Sequence, residues 1–139
     1  MNYLLDTNAC IAVINGRPLA VRKQLEIALG AGAQIWVSSV VTFELWYGVG
    51  KSSRQEISTR QVEAFFAGPV ALLPFDEEDA RASGYLRADL EKVGRSIGAY
   101  DLLIAGQALR RKITLVTANV SEFRRVKGLE WQDWAKGKT

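Results

Sequence analysis

Three acidic side chains, Asp6, Glu44 and Asp101, lie in stretches of sequence that are otherwise apolar. Ionised carboxylates are rarely buried unless they are paired or bind a metal ion. The sequence has no histidine and a single cysteine, which excludes imidazole-based nucleophilic sites and metal centres built from histidine or several cysteines. Carboxylates without imidazole favour a hard cation such as Mg²⁺ or Mn²⁺.

Alternating strand and helix patterns predict the elements that would carry these acids. Strands are predicted at 2–6, 34–38, 70–75 and 113–117, with a fifth, edge strand at Leu129-Glu130-Trp131. Helices are predicted at 7–16, 18–29, from Ser39 as cap to about Gly48 or Gly50, at 54–67, from Asp76 as cap to about 93, and from 99 to about 112. This alternation predicts an α/β fold with a central parallel sheet flanked by helices. We expect one domain over 1–139, with about 133–139 as a polar tail.

The predicted topology places the acids at one rim of the sheet. Ligands of open α/β sheets bind at the carboxyl ends of the strands. Asp6 ends the first strand, Glu44 lies just inside the helix after the second, and Asp101 opens the helix that leads into the fourth. Asn119 and Glu122 follow the fourth strand. All five side chains are therefore expected near one another, although they are far apart in sequence.

Each of these residues also has an ordinary structural explanation. Asp6 can cap the first helix, and Asp101 can interact with a helix dipole. Glu44 and Glu122 can be solvated acids, and Asn119 can be a turn residue. Their shared position favours a metal site over five separate roles. Several carboxylates together need a cation, and Mg²⁺ can lower the pKa of a water molecule for phosphodiester hydrolysis.

The charge distribution suits a polyanionic substrate. The net charge is +3, with basic clusters at Arg110-Arg111-Lys112 and Arg124-Arg125-Val126-Lys127 that can meet phosphate. No apolar run approaches the roughly 20 residues that cross a bilayer. Asp6 interrupts any signal-peptide pattern, and the single Cys10 fits a reducing cytosol, so we expect a cytoplasmic protein with no membrane partner.

At these residues the sequence resembles the VapC-type ribonuclease toxins of the PIN-domain family. The resemblance covers nearly the whole chain, and its segments are specific in combination. They are Leu4-Leu5-Asp6-Thr7-Asn8; Ser38-Ser39 leading to Glu44-Leu45-Trp46-Tyr47-Gly48; Ile97-Gly98-Ala99-Tyr100-Asp101-Leu102-Leu103-Ile104-Ala105-Gly106; and Leu115-Val116-Thr117-Ala118-Asn119 with Glu122-Phe123. The resemblance implies a PIN-like three-layer sandwich whose parallel sheet has the strand order 3-2-1-4-5.

The resemblance also implies a function. It implies the toxin of a type II toxin–antitoxin pair, a Mg²⁺-dependent endoribonuclease in which Mn²⁺ substitutes. The RNA substrate would be tRNA or another structured RNA. A small cognate antitoxin would block the active site, the chain would form a homodimer, and DNA would be bound only through the antitoxin.

Residue by residue, the resemblance makes Asp6 and Asp101 the principal metal ligands and Glu44 the third acid. Many PIN domains carry a fourth acid directly after the fourth strand, where this sequence has Asn119, with Glu122 three residues later. Whether Asn119 or Glu122 completes the site stays open, as does a second metal ion. Thr7 and Thr117 are candidate hydrogen-bonding partners of the carboxylates.

Two further arginines and several other functions are compatible with parts of the sequence. Arg87 and Arg95 can contact RNA phosphate, although a solvated surface is the more ordinary role of each. A haloacid-dehalogenase-type phosphotransferase would need a second aspartate where Asn8 stands, and in a receiver domain Asp76 would be the phosphorylated residue rather than a helix cap. A housekeeping nuclease, or a non-catalytic RNA- or protein-binding module on the same fold, remains the alternative.

Overall fold

A five-stranded parallel sheet forms the centre of the computed structural model, which describes residues 1–136. The strands are β1 (Asn2–Leu5), β2 (Gln34–Ser38), β3 (Ala71–Leu73), β4 (Thr114–Val116) and β5 (Trp131–Gln132). Their order is β3-β2-β1-β4-β5, and every neighbouring pair is parallel, which confirms the expected sheet. The central strand β1 is the most enclosed, and Leu4 and Leu5 on it are fully buried.

Helices cover both faces of this sheet. They are α1 (Thr7–Asn15), α2 (Leu19–Gly30), α3 (Ser39–Lys51), α4 (Gln55–Ala67), α5 (Glu77–Lys92), α6 (Ala99–Arg111) and the single turn α7 (Val120–Phe123). The chain moves from β1 to β3 in one direction and returns through β4 to β5 in the other. Right-handed crossovers therefore place α1–α4 on one face and α5–α7 on the other, which gives the three-layer sandwich. Within residues 1–136 no helix has the length and apolarity that a membrane span requires.

Helix α3 begins and ends differently from the prediction. Its cap is Ser38, whose Oγ accepts a hydrogen bond of 3.1 Å from the backbone N–H of Val40. The hydroxyl of Ser39 instead accepts one of 2.9 Å from the backbone N–H of Phe75. Ser39 therefore ties the start of α3 to the segment after β3.

The other end of α3 extends beyond both glycines at which it was expected to stop. Gly48 and Gly50 lie inside the helix, which continues to Lys51. The apolar residues Val41, Leu45 and Val49 recur at helical spacing and pack against the core. This packing outweighs the cost of about 1 kcal/mol that each helical glycine carries relative to alanine.

The segment predicted as a polar tail contributes to the core. Trp134 lies in a short 3-10 turn (Trp134–Lys136), is buried, and contacts the ring of Tyr3 edge-on at a centroid distance of 5.3 Å. Its indole N–H donates to the side chain of Gln132, so burial leaves no unpaired polar group on the ring. The packed part of the chain therefore includes Trp134, and the rest of the predicted tail, 137–139, lies outside the described residues.

Gly106 allows α6 to approach α5, and this contact yields a stability prediction. A Cβ atom on Gly106 would lie 2.9 Å from the Cα of Ser83, a backbone atom that cannot rotate away. We expect Gly106→Ala to destabilise the protein by about 1–3 kcal/mol through overpacking, measured by urea denaturation. Gly84→Ala, on the exposed face of α5 with no atom within 4 Å of the new Cβ, is the matched control and should stabilise by up to about 1 kcal/mol. Equal effects of the two substitutions would contradict the close approach.

Candidate functional site

Asp6 lies at the carboxyl end of the central strand and serves two purposes. Its backbone N–H donates to the carbonyl of Val116, which continues the pairing of β1 with β4. Its Oδ1 accepts a 2.8 Å hydrogen bond from the backbone N–H of Ala9, so the side chain caps α1. The residue is only 4% exposed. The capping explanation is therefore real, but it occupies only one of the two carboxylate oxygens.

The electrostatic surroundings of Asp6 connect it with other elements. Burial raises the pKa of Asp6, and hydrogen bonds from Thr117 and from the backbone of Ala9 counteract that effect. The negative charges of Glu44 and Asp133 raise this pKa further. Asp6 is thus held within electrostatic reach of acids from α3 and from the segment after β5.

Glu44 reaches this rim from the second turn of α3. It is half-buried, and its Oε1 accepts a 2.6 Å hydrogen bond from the hydroxyl of Thr7, the residue next to Asp6. Helices α1 and α3 pack against each other, so this bond spans the two elements that follow β1 and β2. Thr7 therefore fixes the orientation of the Glu44 carboxylate.

Asp101 lies in the first turn of α6, which begins at the same rim. Partial burial raises the pKa of Asp101 to about 6. The other causes are the charge of Glu122, a hydrogen bond with Glu122, and the charges of Asp6 and Glu44. The structure therefore brings four acids from four distant segments to one place, and the sequence had indicated each of them.

The two residues after β4 have different positions in this arrangement. The side-chain amide of Asn119 donates to Glu122 Oε2 at 2.6 Å and to Asp101 Oδ2 at 3.2 Å. The backbone N–H of Gly98 donates to Glu122 Oε1 at 2.7 Å. The hydrogen bonds from Asn119 and Gly98 lower the pKa of Glu122. Glu122 thus supplies a carboxylate beside Asp101, and Asn119 faces both acids as a donor.

Sequence reasoning missed Asp133 and the backbone of Gly98. Asp133 directly follows β5 and therefore reaches the same rim as Asp6, whose pKa it raises. Asp133 lies in the segment predicted as a polar tail and was therefore not placed at the rim. Its position just after the predicted fifth strand could have indicated that placement. The role of Gly98 is that of a backbone donor, which the identity of the residue does not indicate.

The basic residues divide between the rim and other surfaces. Arg110 and Arg111, at the far end of α6, form ion pairs with Asp76 and Asp79, so they are not free phosphate ligands as the sequence had suggested. Arg87 pairs with Glu91 at 3.0 Å on the exposed surface of α5.

The second basic cluster and Arg95 lie closer to the acids. Arg125 donates to the carbonyl of Ser96 at 2.8 Å and helps to lower the pKa of Glu122. Arg95 is exposed in the loop before α6, within three residues of Gly98, whose backbone holds Glu122. These two arginines are therefore the better candidates for a contact with substrate phosphate.

The donor chemistry of the rim fits a hard divalent cation. Carboxylate oxygens are the ligands that Mg²⁺ prefers, and a cation would relieve the repulsion that raises the pKa values of Asp6 and Asp101. In the part of the chain that the structure describes, no three acidic or cysteine side chains already surround a single ion position. Their oxygens instead accept hydrogen bonds from Ala9, Thr7 and Asn119. A bound cation would have to replace some of these interactions.

Comparison with known proteins identifies relatives along the whole chain. The sequence model of the PIN domain matches residues 3–129. A tRNA(fMet)-specific endonuclease VapC from Shigella flexneri is 37% identical over 135 residues, which cover 97% of this chain and 99% of the relative. Ribonuclease VapC2 from Rickettsia felis is 38% identical over 136 residues, covering 98% and 100%.

Solved structures show the same similarity. The crystal structure of VapBC2 from Rickettsia felis bound to a DNA fragment from its promoter has a TM-score of 0.89 at 36% identity, covering 96% of this chain and 99% of that chain. DNA-bound VapBC from Salmonella typhimurium gives a TM-score of 0.88 at 34% identity, covering 96% and 98%. Fold and sequence therefore point to the same set of relatives.

Proposed function

The chain belongs to the PIN-domain family, among the VapC-type ribonucleases, and we propose that it cleaves RNA through a divalent metal ion held by the acids at the sheet rim. The observation that carries this proposal is the gathering of four acids at the rim. Asn119 donates to both Asp101 and Glu122, Thr7 donates to Glu44 beside Asp6, and, besides burial, the charges of Glu122, Asp6 and Glu44 all raise the pKa of Asp101. Acids from four separate segments repel one another in a partly buried place, and a bound cation would neutralise that repulsion. Nucleases of this family are divalent-metal-dependent, and Mg²⁺ is the ion we propose here, with Mn²⁺ as a substitute.

We assign Asp6 and Asp101 as the principal metal ligands and Glu44 as the third. Glu122 is our fourth acid, because it lies beside Asp101, whereas Asn119 positions it as a hydrogen-bond donor. When bound, the ion would supply a Lewis acid that polarises the phosphate and lowers the pKa of a water molecule.

The chain's own residues keep these carboxylates oriented. The Thr7 hydroxyl donates to Oε1 of Glu44 and so orients this carboxylate. The backbone N–H of Ala9 does the same for Oδ1 of Asp6, and the Asn119 amide and Gly98 N–H keep Glu122 ionised. Besides burial, the charge of Glu122 raises the pKa of Asp101, and a bound cation would offset that repulsion. Such preorganisation lowers the cost of assembling a reactive site.

For the biological setting, we propose a toxin of a type II toxin–antitoxin pair. The solved relatives include VapBC complexes, two of them bound to DNA, which favours a small antitoxin partner that mediates DNA binding. The relative from Shigella flexneri is named for tRNA(fMet), so tRNA is our substrate class and initiator tRNA the first RNA to test. We place this activity in the cytoplasm and propose a homodimer as the working unit.

The test is cleavage of initiator tRNA by the purified chain, with elongator tRNAs and an unstructured RNA for comparison. We expect cleavage with Mg²⁺ or Mn²⁺, complete loss with EDTA, and recovery when the ion is restored. Hydrolysis by water gives no 2′,3′-cyclic phosphate, which is the product when the 2′-hydroxyl attacks. Cleavage that persists in EDTA, or products that end in a cyclic phosphate, would overturn the mechanism.

A cellular test addresses the toxin assignment and the alternatives. We expect growth arrest when the chain is expressed and relief when a small protein encoded beside it is co-expressed. RNA binding without cleavage under every metal condition would favour the non-catalytic module. Cleavage without growth arrest would favour a housekeeping nuclease.

A further inference from the structure

Three exposed aromatic rings form a strip that runs from α3 to the first turn of α6. Phe43, Tyr47 and Tyr100 are 53%, 59% and 47% exposed. The rings of Phe43 and Tyr47 are nearly parallel, at 19° and a centroid distance of 6.5 Å. The ring of Tyr100 lies 5.6 Å from that of Phe43. A cluster of exposed aromatic rings indicates a binding surface, because folding of the chain alone would favour burying such rings away from water. We call this group the aromatic strip.

The aromatic strip lies directly beside the proposed catalytic acids. Phe43 precedes Glu44, and Tyr100 precedes Asp101, so both rings are attached to the backbone that carries a proposed ligand. At its outer end, the ammonium group of Lys51 lies 5.2 Å from the centre of the Tyr47 ring. The strip therefore combines flat apolar faces, two phenol groups and one positive charge, on the two helices that carry Glu44 and Asp101.

We propose that the aromatic strip stacks unpaired bases of the RNA substrate and so sets which phosphate lies at the acids. This inference rests on the proposed function. Rows of aromatic rings beside a cation are the means by which proteins hold single-stranded nucleic acid, since every base has a π face. Lys51 complements a phosphate, which favours RNA over an apolar protein face as the occupant.

Stacking on the aromatic strip would make the chain select RNA loops over RNA helices. Bases inside a duplex are already stacked on their neighbours and cannot present a face to Phe43 or Tyr100. Unpaired loop bases can turn outward, so a structured RNA would be cut where its loop meets the strip. The residues that flank the acids would then decide the cleavage position, and the acids would supply only the chemistry.

Binding of two hairpin RNAs to a non-cleaving variant tests this proposal. The first has an intact loop, and the second has abasic sites at the same loop positions, which remove the bases but keep the phosphates. Asp6→Asn is a suitable background because asparagine also caps helices. In that background, we expect Phe43→Leu and Tyr100→Leu to weaken binding of the intact hairpin about tenfold in anisotropy titrations, and to leave the abasic hairpin almost unaffected.

The controls separate stacking from other roles. Tyr85→Leu, a 69% exposed tyrosine on α5 away from the strip, should leave both affinities unchanged. Tyr100→Phe keeps the ring and should retain binding. Equal weakening of both hairpins, or none, would overturn the proposal. A change in oligomeric mass on Phe43→Leu, measured by light scattering, would also overturn it, since the strip would then be an interface between copies.

Failure of this inference is distinguishable from failure of the proposed function. If the wild-type chain cuts RNA in a metal-dependent manner while the strip variants weaken binding of the intact and the abasic hairpin equally, or weaken neither, only the stacking role is wrong. If the strip variants lose base-dependent binding but the wild-type chain cuts no RNA with any ion, the strip is an RNA-binding surface and the catalytic proposal is wrong.

Discussion

Asp101→Asn is expected to lower the rate of RNA cleavage at saturating Mg²⁺ by about a thousandfold or more, which corresponds to about 4 kcal/mol in the activation barrier. Asparagine keeps the shape of the side chain but removes one negative charge from the proposed metal site. Asp101 is the acid that all three others influence, so its loss affects the whole ligand set. Rates of tRNA cleavage under single-turnover conditions, from 0.1 to 20 mM Mg²⁺, measure the effect.

The same variant should keep its fold, which separates a catalytic loss from a structural one. Asp101 is surrounded by like charges in the metal-free protein, so its neutralisation should leave the melting temperature equal to or above that of the wild-type chain. Mg²⁺ that binds the native state raises the melting temperature of the wild-type chain. In Asp101→Asn this rise should shrink or vanish, because the variant lacks one of the proposed metal ligands. Asp89→Asn, an exposed aspartate on α5, is the matched control and should behave like wild type in both assays. Wild-type cleavage rates in Asp101→Asn would contradict the metal-site assignment.

Two further substitutions compare the contributions of Glu122 and Asn119 to the cleavage rate. Glu122→Gln should reduce cleavage by about 10–100-fold, and Asn119→Ala should reduce it less. The reason is that the Gly98 N–H still holds Glu122 when the amide of Asn119 is removed. A larger loss in Asn119→Ala than in Glu122→Gln would place Asn119, and not Glu122, at the fourth corner of the site.

The sheet and the meeting of the acids were predictable from the sequence because both follow from local patterns. Apolar strands alternate with amphipathic helices, which imposes parallel pairing, and parallel pairing brings the carboxyl ends of the strands to one rim. Asp6, Glu44 and Asp101 could be placed there because each lies at a strand end or in the first two turns of a helix that begins at the rim.

The parts that escaped prediction depend on contacts between distant residues. Trp134 looked like part of a polar tail because its neighbours are polar, and only the partner ring of Tyr3 explains its burial. Ser38 and Ser39 are equivalent as helix caps in the sequence, and the backbone of Phe75 decides between them. Arg110 and Arg111 resembled a phosphate site because their acidic partners lie about 30 residues earlier in the chain.

Asp79 holds those two arginines in a buried network, and its replacement is the largest stability change we expect. The side chain of Asp79 is 0% exposed and accepts hydrogen bonds from Arg110 at 2.9 Å, from Arg111 at 3.1 Å and from Gln107 at 3.0 Å. It also accepts from the backbone N–H of Asp76 at 3.0 Å, which completes a capping box at the start of α5. These bonds join the start of α5 to the end of α6.

We expect Asp79→Asn to destabilise the protein by about 3 kcal/mol, because the arginines would lose a buried counter-charge and face an amide group instead. Chemical denaturation at pH 7 measures this loss. Glu91→Gln is the matched control on the same helix, since Glu91 forms an exposed ion pair with Arg87, and it should change stability by less than about 1 kcal/mol. Similar effects of the two substitutions would contradict a structural role for the Asp79 network.

The pH dependence of unfolding gives an independent check on Asp79. Burial alone would raise the pKa of Asp79, but hydrogen bonds from Arg111, from the backbone of Asp76 and from Arg110 outweigh burial and lower the pKa from 3.8 to about 2. A lowered pKa means that the unfolded chain takes up the proton first. This carboxylate therefore contributes about 2 kcal/mol of stability above pH 4, and the contribution disappears as the pH falls from about 4 to 2. In Asp79→Asn that part of the acid sensitivity should be absent.

Cleavage by the folded fraction of Asp79→Asn should nevertheless stay close to that of the wild-type chain. Arg110 and Arg111 lie at the end of α6 and Asp101 in its first turn, a separation of roughly 14 Å along a helix that rises about 1.5 Å per residue. The network thus anchors the far end of the helix, while Thr7, Asn119 and Gly98 orient the acids at the rim. Cleavage assays are made below the unfolding temperature and corrected for the folded fraction. Asp79→Asn should lose stability but keep its cleavage rate, whereas Asp101→Asn should keep its stability but lose cleavage. A large catalytic loss in folded Asp79→Asn would instead show that α6 transmits the position of its anchored end to Asp101.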